Sequence, residues 1–298
     1  MSEEGKGTLY TMSFTPRKTI HTTVAFVFAV LLLSACNSTS TPVASTRPAA
    51  VKNVALNAGA VLQHSPAGSA QLAWDPTNHA LTINITLLGL APKSKHPAHI
   101  HAGTCAKAGN AIYPLQDVVA NEAGIGTSIS TINDITGGIP ATGWSINVHN
   151  GPTMASDQQS MPISCGDIAN PNPKTTMAQN IHVPLAATTS PGQGAHGSAQ
   201  LKLANGTLTV MLSLEGLVPR TVHAADVHDG GCGNQGKVLY TLKPIVADKT
   251  GKGSTTTVIS GVTTVPDAGW YVNVHQTTDL TTQTGSDPIL CGDVLTGR

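Results

Sequence analysis

Residues 96–105 read HPAHIHAGTC, a stretch that holds three of the chain's 12 histidines within six positions. Successive side chains of a β-strand point to opposite faces, so His99 and His101 would share one face. Ala98 and Ile100 would share the other face, which is the natural core face. The stretch therefore predicts a β-strand with two outward imidazoles, either as half of a metal site or as a polar strand edge.

The same frame returns 127 residues later as HAADVHDGGC at 223–232. Four other pairs of segments recur at offsets between 126 and 129 residues. They are GSAQL at 68–72 and 197–201, the apolar stretches at 80–92 and 207–219, GWSINVHNG and GWYVNVHQT at 143–151 and 269–277, and PISCGDI and PILCGDV at 162–168 and 288–294. The offsets indicate a duplicated unit of roughly 115–120 residues, a size typical of a β-sandwich rather than a solenoid repeat.

Within each unit, short runs alternate between apolar and polar residues and end at Gly- and Pro-rich turns. The stretch LTINITL at 81–87 is one such run. No window has the periodicity of an amphipathic helix. This pattern predicts an all-β fold, with a first domain at 53–170, a linker at 171–182 and a second domain at 183–298.

The N-terminal residues 1–36 have the pattern of an export signal. Basic residues precede an apolar run of ten residues at 24–33, which is too short to span a bilayer as a permanent helix. The following LSAC resembles the bacterial lipoprotein signal, which predicts lipidation of Cys36 and a polar tether at 37–52. The alternative is an ordinary secreted protein cleaved near Ala35. We therefore expect an extracytoplasmic protein, lipid-anchored to the bacterial cell membrane.

Charge and cysteine content narrow the function further. The 16 basic and 16 acidic residues balance, so no basic patch suggests nucleic acid. Apart from Cys36, the cysteines are Cys105, Cys165, Cys232 and Cys291. An even number in an exported chain predicts two disulfides. Pairing within each unit is favoured, because pairing between units would require the two domains to dock closely.

A third histidine has the parity needed to join His99 and His101. Along the run from 144 to 149, the apolar residues alternate inward and His149 points outward. Three imidazoles suit copper or zinc and leave a coordination position open. If the two strands adjoin, the sequence predicts a three-histidine metal site; otherwise these are exposed polar residues.

These motifs together resemble the copper/zinc superoxide dismutases, and even more closely their chordin-type (CHRD) relatives, which share G-L-x-P, A-H-I-H and V-N-V-H. The resemblance covers residues 55–168 and 183–295. It implies two tandem, superoxide-dismutase-like Greek-key β-sandwich or barrel domains. It also implies copper binding by His99, His101 and His149.

The resemblance assigns further roles in the first unit. It makes His96 a supporting residue behind the ligands and pairs Cys105 with Cys165. A dismutase would also have a bridging histidine and a zinc site, but no histidine lies between Cys105 and Trp144. No zinc site of that kind is therefore evident.

An arginine that attracts superoxide in the dismutases is also missing. Pro162 stands at its position in the first unit, and Pro288 in the second. Electrostatic steering of the anion should therefore be weaker.

The second unit keeps three of the four histidines. His223, His228 and His275 match His96, His101 and His149, but Asp226 replaces His99. We expect this copy to keep the fold and to have lost copper. The alternative is a site with two histidines and one aspartate that binds a harder metal.

Two functions fit the sequence. The first is a cell-surface copper protein with the three-histidine site, for which the resemblance implies superoxide dismutation as the activity. The second is a non-enzymatic CHRD-like module for adhesion, matrix contact or metal buffering.

Overall fold

Alternating apolar and polar residues fold most of the chain into β-strands. The computed structural model describes residues 55–186, 188 and 192–297. Within these residues the chain forms 20 strands and two four-residue helices, so the predicted all-β fold class is confirmed. The predicted signal, the tether and Cys36 lie outside the described residues.

The elements follow the sequence in two series. The first comprises β1 (Leu56–His64), β2 (Ala67–Asp75), β3 (Ala80–Leu88), β4 (Lys95–His96), β5 (Ala98–Thr104), β6 (Lys107–Pro114), β7 (Val118–Ala120), β8 (Gly126–Ile132), β9 (Trp144–His149), α1 (Asp157–Ser160) and β10 (Pro162–Ile168). The second comprises β11 (Gln179–Leu185), β12 (His196–Ala204), β13 (Thr207–Glu215), β14 (Val222–His223), β15 (Ala225–Gly231), β16 (Asn234–Thr241), β17 (Ile245–Val246), β18 (Gly253–Ser260), β19 (Trp270–His275), α2 (Gln283–Ser286) and β20 (Pro288–Thr296).

The strands pair in the same order in both series. An eight-stranded sheet has the order β16-β15-β19-β20-β1-β12-β13-β18. Its counterpart consists of a four-stranded sheet, β10-β9-β5-β6, and a six-stranded sheet, β11-β2-β3-β8-β7-β4. A bridge between Cys165 and Ala186 connects these two sheets through β10 and β11. Strands β14 and β17 form a separate two-stranded sheet.

Two strands pair outside the predicted domain that contains them. Strand β1 lies between β12 and β20, whereas β11 pairs with β2. The predicted linker therefore ends inside a strand, because residues 179–182 belong to β11. The domain boundaries stay a prediction, but these two strands do not follow them.

We call β1 and β11 the exchanged strands, because each pairs outside its predicted domain. Glycines allow both of them to approach their neighbours closely. A Cβ atom at Gly166 would lie 2.4 Å from the Pro184 carbonyl oxygen on β11. A Cβ atom at Gly292 would lie 2.5 Å from the Val61 carbonyl oxygen on β1. Any larger residue would push these strands apart, which explains the glycine in the repeated Cys-Gly-Asp motif.

Each series encloses its own apolar core, and the exchanged strands are part of it. Leu62 of β1 is fully buried in the core formed by β12, β13, β15, β19 and β20. Val183 of β11 is buried in the core that holds Ile100, Ile146 and Val148. The inward parity predicted for Ile100, Ile146 and Val148 is therefore what the structure shows.

Disulfides close both series at the same place. Cys105 is bonded to Cys165, and Cys232 to Cys291, as within-unit pairing predicted. The carboxylate of Asp167 accepts a hydrogen bond from the Cys105 amide at 2.6 Å and so fixes the turn next to the disulfide.

Candidate metal centre

Three histidines meet on the side of the four-stranded sheet opposite the apolar core. His99 and His101 lie on β5, and His149 ends the neighbouring strand β9. The register pairs His99 with Asn147, which places His149 one step further along the same face. One potential ligand atom from each of the three residues lies within 4.8 Å of the others. Such spacing allows one ion to contact all three side chains.

Backbone carbonyls fix the orientation of two rings. His101 Nδ1 lies 3.0 Å from the Gly109 carbonyl oxygen, and His149 Nδ1 lies 2.7 Å from the Ser160 carbonyl oxygen. A carbonyl only accepts, so both Nδ1 atoms carry the proton and donate. In the neutral ring, Nε2 then keeps a lone pair that is free to bind a metal.

One ring nitrogen of each of the three histidines is buried and has no partner. Nε2 of His101, Nε2 of His149 and Nδ1 of His99 are all buried and lack a hydrogen-bond partner. Leaving buried polar atoms unpaired costs about 1–3 kcal/mol each. A metal ion would satisfy all three, so the donor set fits copper or zinc.

Burial also keeps the imidazoles of His99 and His149 neutral. Burial lowers the pKa of His149 to about 4, although the hydrogen bond to Ser160 opposes the shift. Burial, together with the positive charge of a protonated His101, lowers the pKa of His99. Both rings are therefore unprotonated at neutral pH, as metal ligation requires.

The site face is less exposed than sequence parity suggests. His149 is only 3% exposed, while His99 and His101 are partly exposed. The segment after β9 folds back beside His149, and within this segment the Gly151 amide donates a hydrogen bond to the Gln159 carbonyl oxygen at 2.9 Å. Alternation predicts only the side to which a residue points, not whether a loop covers that side.

His96 lies behind the three histidines and is fully buried. Its Nδ1 donates to the His149 carbonyl oxygen at 2.8 Å, and its Nε2 lies 2.7 Å from Ser94 Oγ. Burial lowers the pKa of His96 to about 4. Its contact is with the backbone of His149 rather than with the space between the rings.

A buried carboxyl group from the second series, that of Asp287, lies close to His96. Asp287 Oδ1 lies 3.8 Å from His96 Nε2 and accepts a hydrogen bond from the Ala91 amide at 3.3 Å. Burial raises the pKa of Asp287 well above its usual value. Sequence reasoning missed this residue. The sequence offered one signal. Asp287 stands directly before the Pro-Ile pair of the second unit, where Met161 stands before the Pro-Ile pair of the first.

A second group forms at the matching place in the other series. Asp226, His228 and His275 also bring ligand atoms within 4.8 Å of one another, and all three are buried. His228 Nδ1 donates to the Gly236 carbonyl oxygen at 3.2 Å, and His275 Nδ1 donates to the Ser286 carbonyl oxygen at 2.7 Å. The hydrogen-bond frame of the first site is therefore repeated.

His223 repeats the role of His96. Its Nδ1 donates to the His275 carbonyl oxygen at 2.9 Å, and its Nε2 lies 2.6 Å from Thr221 Oγ1. His223 is therefore a support of the second group rather than a member of it.

A tyrosine distinguishes the second group from the first. The ring of Tyr271 stacks on His228 with centroids 4.8 Å apart, at the position that Ser145 occupies in the first series. Burial raises the pKa of Tyr271 well above its usual value. The difference between GWSINVH and GWYVNVH was visible in the sequence, but the contact with His228 was not.

Comparison with known proteins identifies part of the chain. Residues 174–279 match the family described as the CHRD domain, so the chain contains a CHRD domain there. That match includes Asp226, His228 and His275 but not His99, His101 and His149. No curated protein matches the sequence. Among the described residues, no helix is both long and apolar enough to cross a membrane.

One solved structure illustrates the structural matches. The crystal structure of the clock protein EA4 shares 15% sequence identity with this chain. The alignment covers 36% of this chain and 88% of the other, with a TM-score of 0.26.

Proposed function

We propose that this protein binds copper outside the cytoplasm through His99, His101 and His149. The observation that carries the proposal is that three histidines with ligand atoms within 4.8 Å of one another each have a buried, unpaired ring nitrogen. The disulfides favour an oxidising compartment, in agreement with export. Three imidazoles suit both copper and zinc, and Cu²⁺ ranks above Zn²⁺ in affinity for such donors.

Superoxide dismutation is the second candidate function, favoured by the partial exposure of His99 and His101, which leaves room for a small substrate. Bound copper would supply a one-electron couple for reducing and oxidising superoxide. The chain's part is to hold the rings in place through the Gly109 and Ser160 carbonyls.

The charges around the site argue for slow turnover. Asp117 lies near His99, and its negative charge partly opposes the lowering of the pKa of that ring by burial. Lys95 Nζ pairs with Asp117 at 2.7 Å. With Pro162 in place of an arginine, no unpaired positive charge among these residues attracts the anion. A CHRD-like module that buffers copper without turnover is the alternative.

Copper stoichiometry with matched variants tests the proposal. The protein without its signal is loaded with Cu²⁺ and competed against a chelator, beside His101→Ala and His228→Ala. These residues take the same position in the two series. We expect His101→Ala to lose one tightly bound copper and His228→Ala to keep it. Equal copper affinity in the wild type and His101→Ala would overturn the proposal.

A superoxide assay on the copper-loaded protein separates the two functions. Turnover that disappears in His101→Ala but persists in His228→Ala would support dismutation. Tight copper binding without turnover would support the buffering module.

We also propose that a lipid anchor on Cys36 holds the protein at the membrane. The support is the export-signal pattern of residues 1–36 and the LSAC sequence that ends it. Metabolic labelling with a fatty acid should mark the wild type and leave Cys36→Ser unlabelled. Release of unlabelled wild type into the medium would instead identify a secreted protein.

A further inference from the structure

The second group contains unsatisfied polar atoms that hydrogen bonds within the protein do not explain. Nε2 of His228 and Nε2 of His275 are buried without a hydrogen-bond partner. Both side-chain polar atoms of Asn273 are also buried without a partner. Asn273 pairs with Asp226 in the strand register, so it belongs to the same part of the sheet. Buried polar atoms in proteins are normally satisfied, which points to a missing occupant.

The hydrogen-bond directions indicate a cation. His275 Nδ1 donates to a carbonyl, so the Nε2 of a neutral ring carries a lone pair. That lone pair lies 3.4 Å from Asp226 Oδ2, another electron-rich atom. Two such atoms at this distance repel unless a positive charge lies between them. A proton could bridge this pair, but it would leave the lone pair of His228 unsatisfied.

The donor set determines which cation fits. Asp226 supplies a hard, negatively charged oxygen where the first site has an imidazole. Two histidines and one carboxylate form a known Zn²⁺ donor set in proteins, whereas Cu(I) prefers softer ligands. The charge of Asp226 offsets half of the charge of a divalent ion, which lowers the cost of burying it.

The surroundings close this site. All three donors are buried, and the Tyr271 ring covers one side of His228. The first site instead leaves His99 and His101 partly exposed. Zinc held by three protein ligands takes water in its fourth position, and the burial of all three donors restricts access to that position.

We propose that Asp226, His228 and His275 bind Zn²⁺ at a second, closed site that stabilises the fold. This takes up the alternative from the sequence, in which two histidines and one aspartate bind a harder metal after copper binding is lost. The proposal is independent of copper binding at the first site, because the two sites share no residue.

The test uses the protein without its signal, carrying His99→Ala and His101→Ala so that the first site is removed. Zn²⁺ is titrated in competition with a chromophoric chelator. We expect one zinc per chain. Adding Asp226→Ala or His228→Ala should weaken zinc binding by about 100-fold or more, since even changes behind a ligand cost roughly 10–100-fold. No bound zinc in the parent, or unchanged affinity after either substitution, would overturn the proposal.

A milder substitution guards against loss of folding. Asp226→Asn keeps the shape of the side chain and removes its charge. Zinc should raise the thermal unfolding midpoint of the parent and have little effect on that of Asp226→Asn. An equal rise in both would overturn the role of the carboxylate. Absence of any rise in the parent would show that a proton, not zinc, lies between Asp226 and His275.

Exchange of the differing donor provides a positive test. Asp226→His gives the second site the donor set of the first and should increase its Cu(I) affinity relative to Zn²⁺. An unchanged preference would contradict the explanation of selectivity by donor type.

Discussion

His96 Nδ1 lies 2.8 Å from the backbone carbonyl oxygen of His149 and donates a hydrogen bond to it. The bond ties a fully buried imidazole to the strand end that presents the proposed metal ligand His149. It is repeated between His223 and His275 at 2.9 Å. Each support therefore acts on the position of a ligand without touching the space that an ion would occupy.

Replacing His96 should weaken copper binding without removing a ligand. His96→Gln loses the imidazole that holds His149 in place, and changes behind a metal ligand typically cost 10–100-fold in affinity. Competition titration with a chelator measures the change. His223→Gln is the matched control and should leave copper affinity unaltered. Equal copper affinity in His96→Gln and the wild type would contradict this role.

Acid should destabilise the metal-free protein. The pKa values of His96 and His149 are about 4 in the folded state because both rings are buried, against about 6.5 in the unfolded chain. The unfolded chain thus binds more protons between these values, and the free energy of unfolding falls as pH decreases from 6.5 toward 4. The slope is about 1.4 kcal/mol per pH unit for each histidine.

Denaturant unfolding between pH 4 and pH 7 measures that slope. His96→Gln removes one of the two groups and should make the slope shallower. His182→Gln removes an exposed histidine instead and serves as the control. A wild-type stability independent of pH in this range would show that the buried histidines do not control it.

Asp287 should have the opposite pH dependence. Burial raises its pKa in the folded state, so the folded protein binds more protons than the unfolded chain above about pH 3.9. Its contribution is present at low pH and is lost as pH rises through the folded-state pKa. Asp287→Asn keeps an oxygen for the Ala91 amide and cannot ionise. Its stability relative to the wild type should therefore increase with pH.

Unfolding of Asp287→Asn and the wild type at pH 5 and pH 8 checks this expectation. Asp157→Asn, which alters an exposed carboxylate on α1, is the control. A difference between Asp287→Asn and the wild type that shrinks as pH rises would contradict the account.

Removing β1 should destabilise the second series rather than the first. Leu62 is fully buried in that core, and β1 fills the place between β12 and β20. A chain beginning at Ala67 would lose this packing and leave two strand edges unpaired, so its unfolding midpoint should fall sharply. A chain beginning at Ala55 keeps β1 and is the control. A peptide of residues 55–66 added in trans should restore part of the loss, and equal midpoints for the two chains would refute the exchange.

The sequence allowed prediction of the strands and of the residues that form the sites. Period-two alternation gave the inward side of Ile100 and Ile146, and the repeat identified matching positions in both halves. Both disulfides followed from within-unit pairing. These features depend on local geometry or on comparison of one half with the other.

The strand exchange could not be predicted in the same way. β1 and β11 both alternate between buried and more exposed residues, so the local pattern allows either strand to pair with either sheet. Only long-range packing decides which sheet accepts which strand. The contact between Asp287 and His96 depends on the same packing, because the two residues are 191 positions apart in the sequence.

Pulsed EPR on the copper-loaded protein tests the three-histidine site most directly. The protein without its signal is first loaded with one equivalent of Zn²⁺ and then with one equivalent of Cu²⁺. We predict nitrogen couplings from three imidazoles in the wild type and in His228→Ala, and loss of this signal in His101→Ala. A Cu²⁺ spectrum without imidazole couplings, or an identical spectrum in His101→Ala, would contradict a copper site formed by His99, His101 and His149.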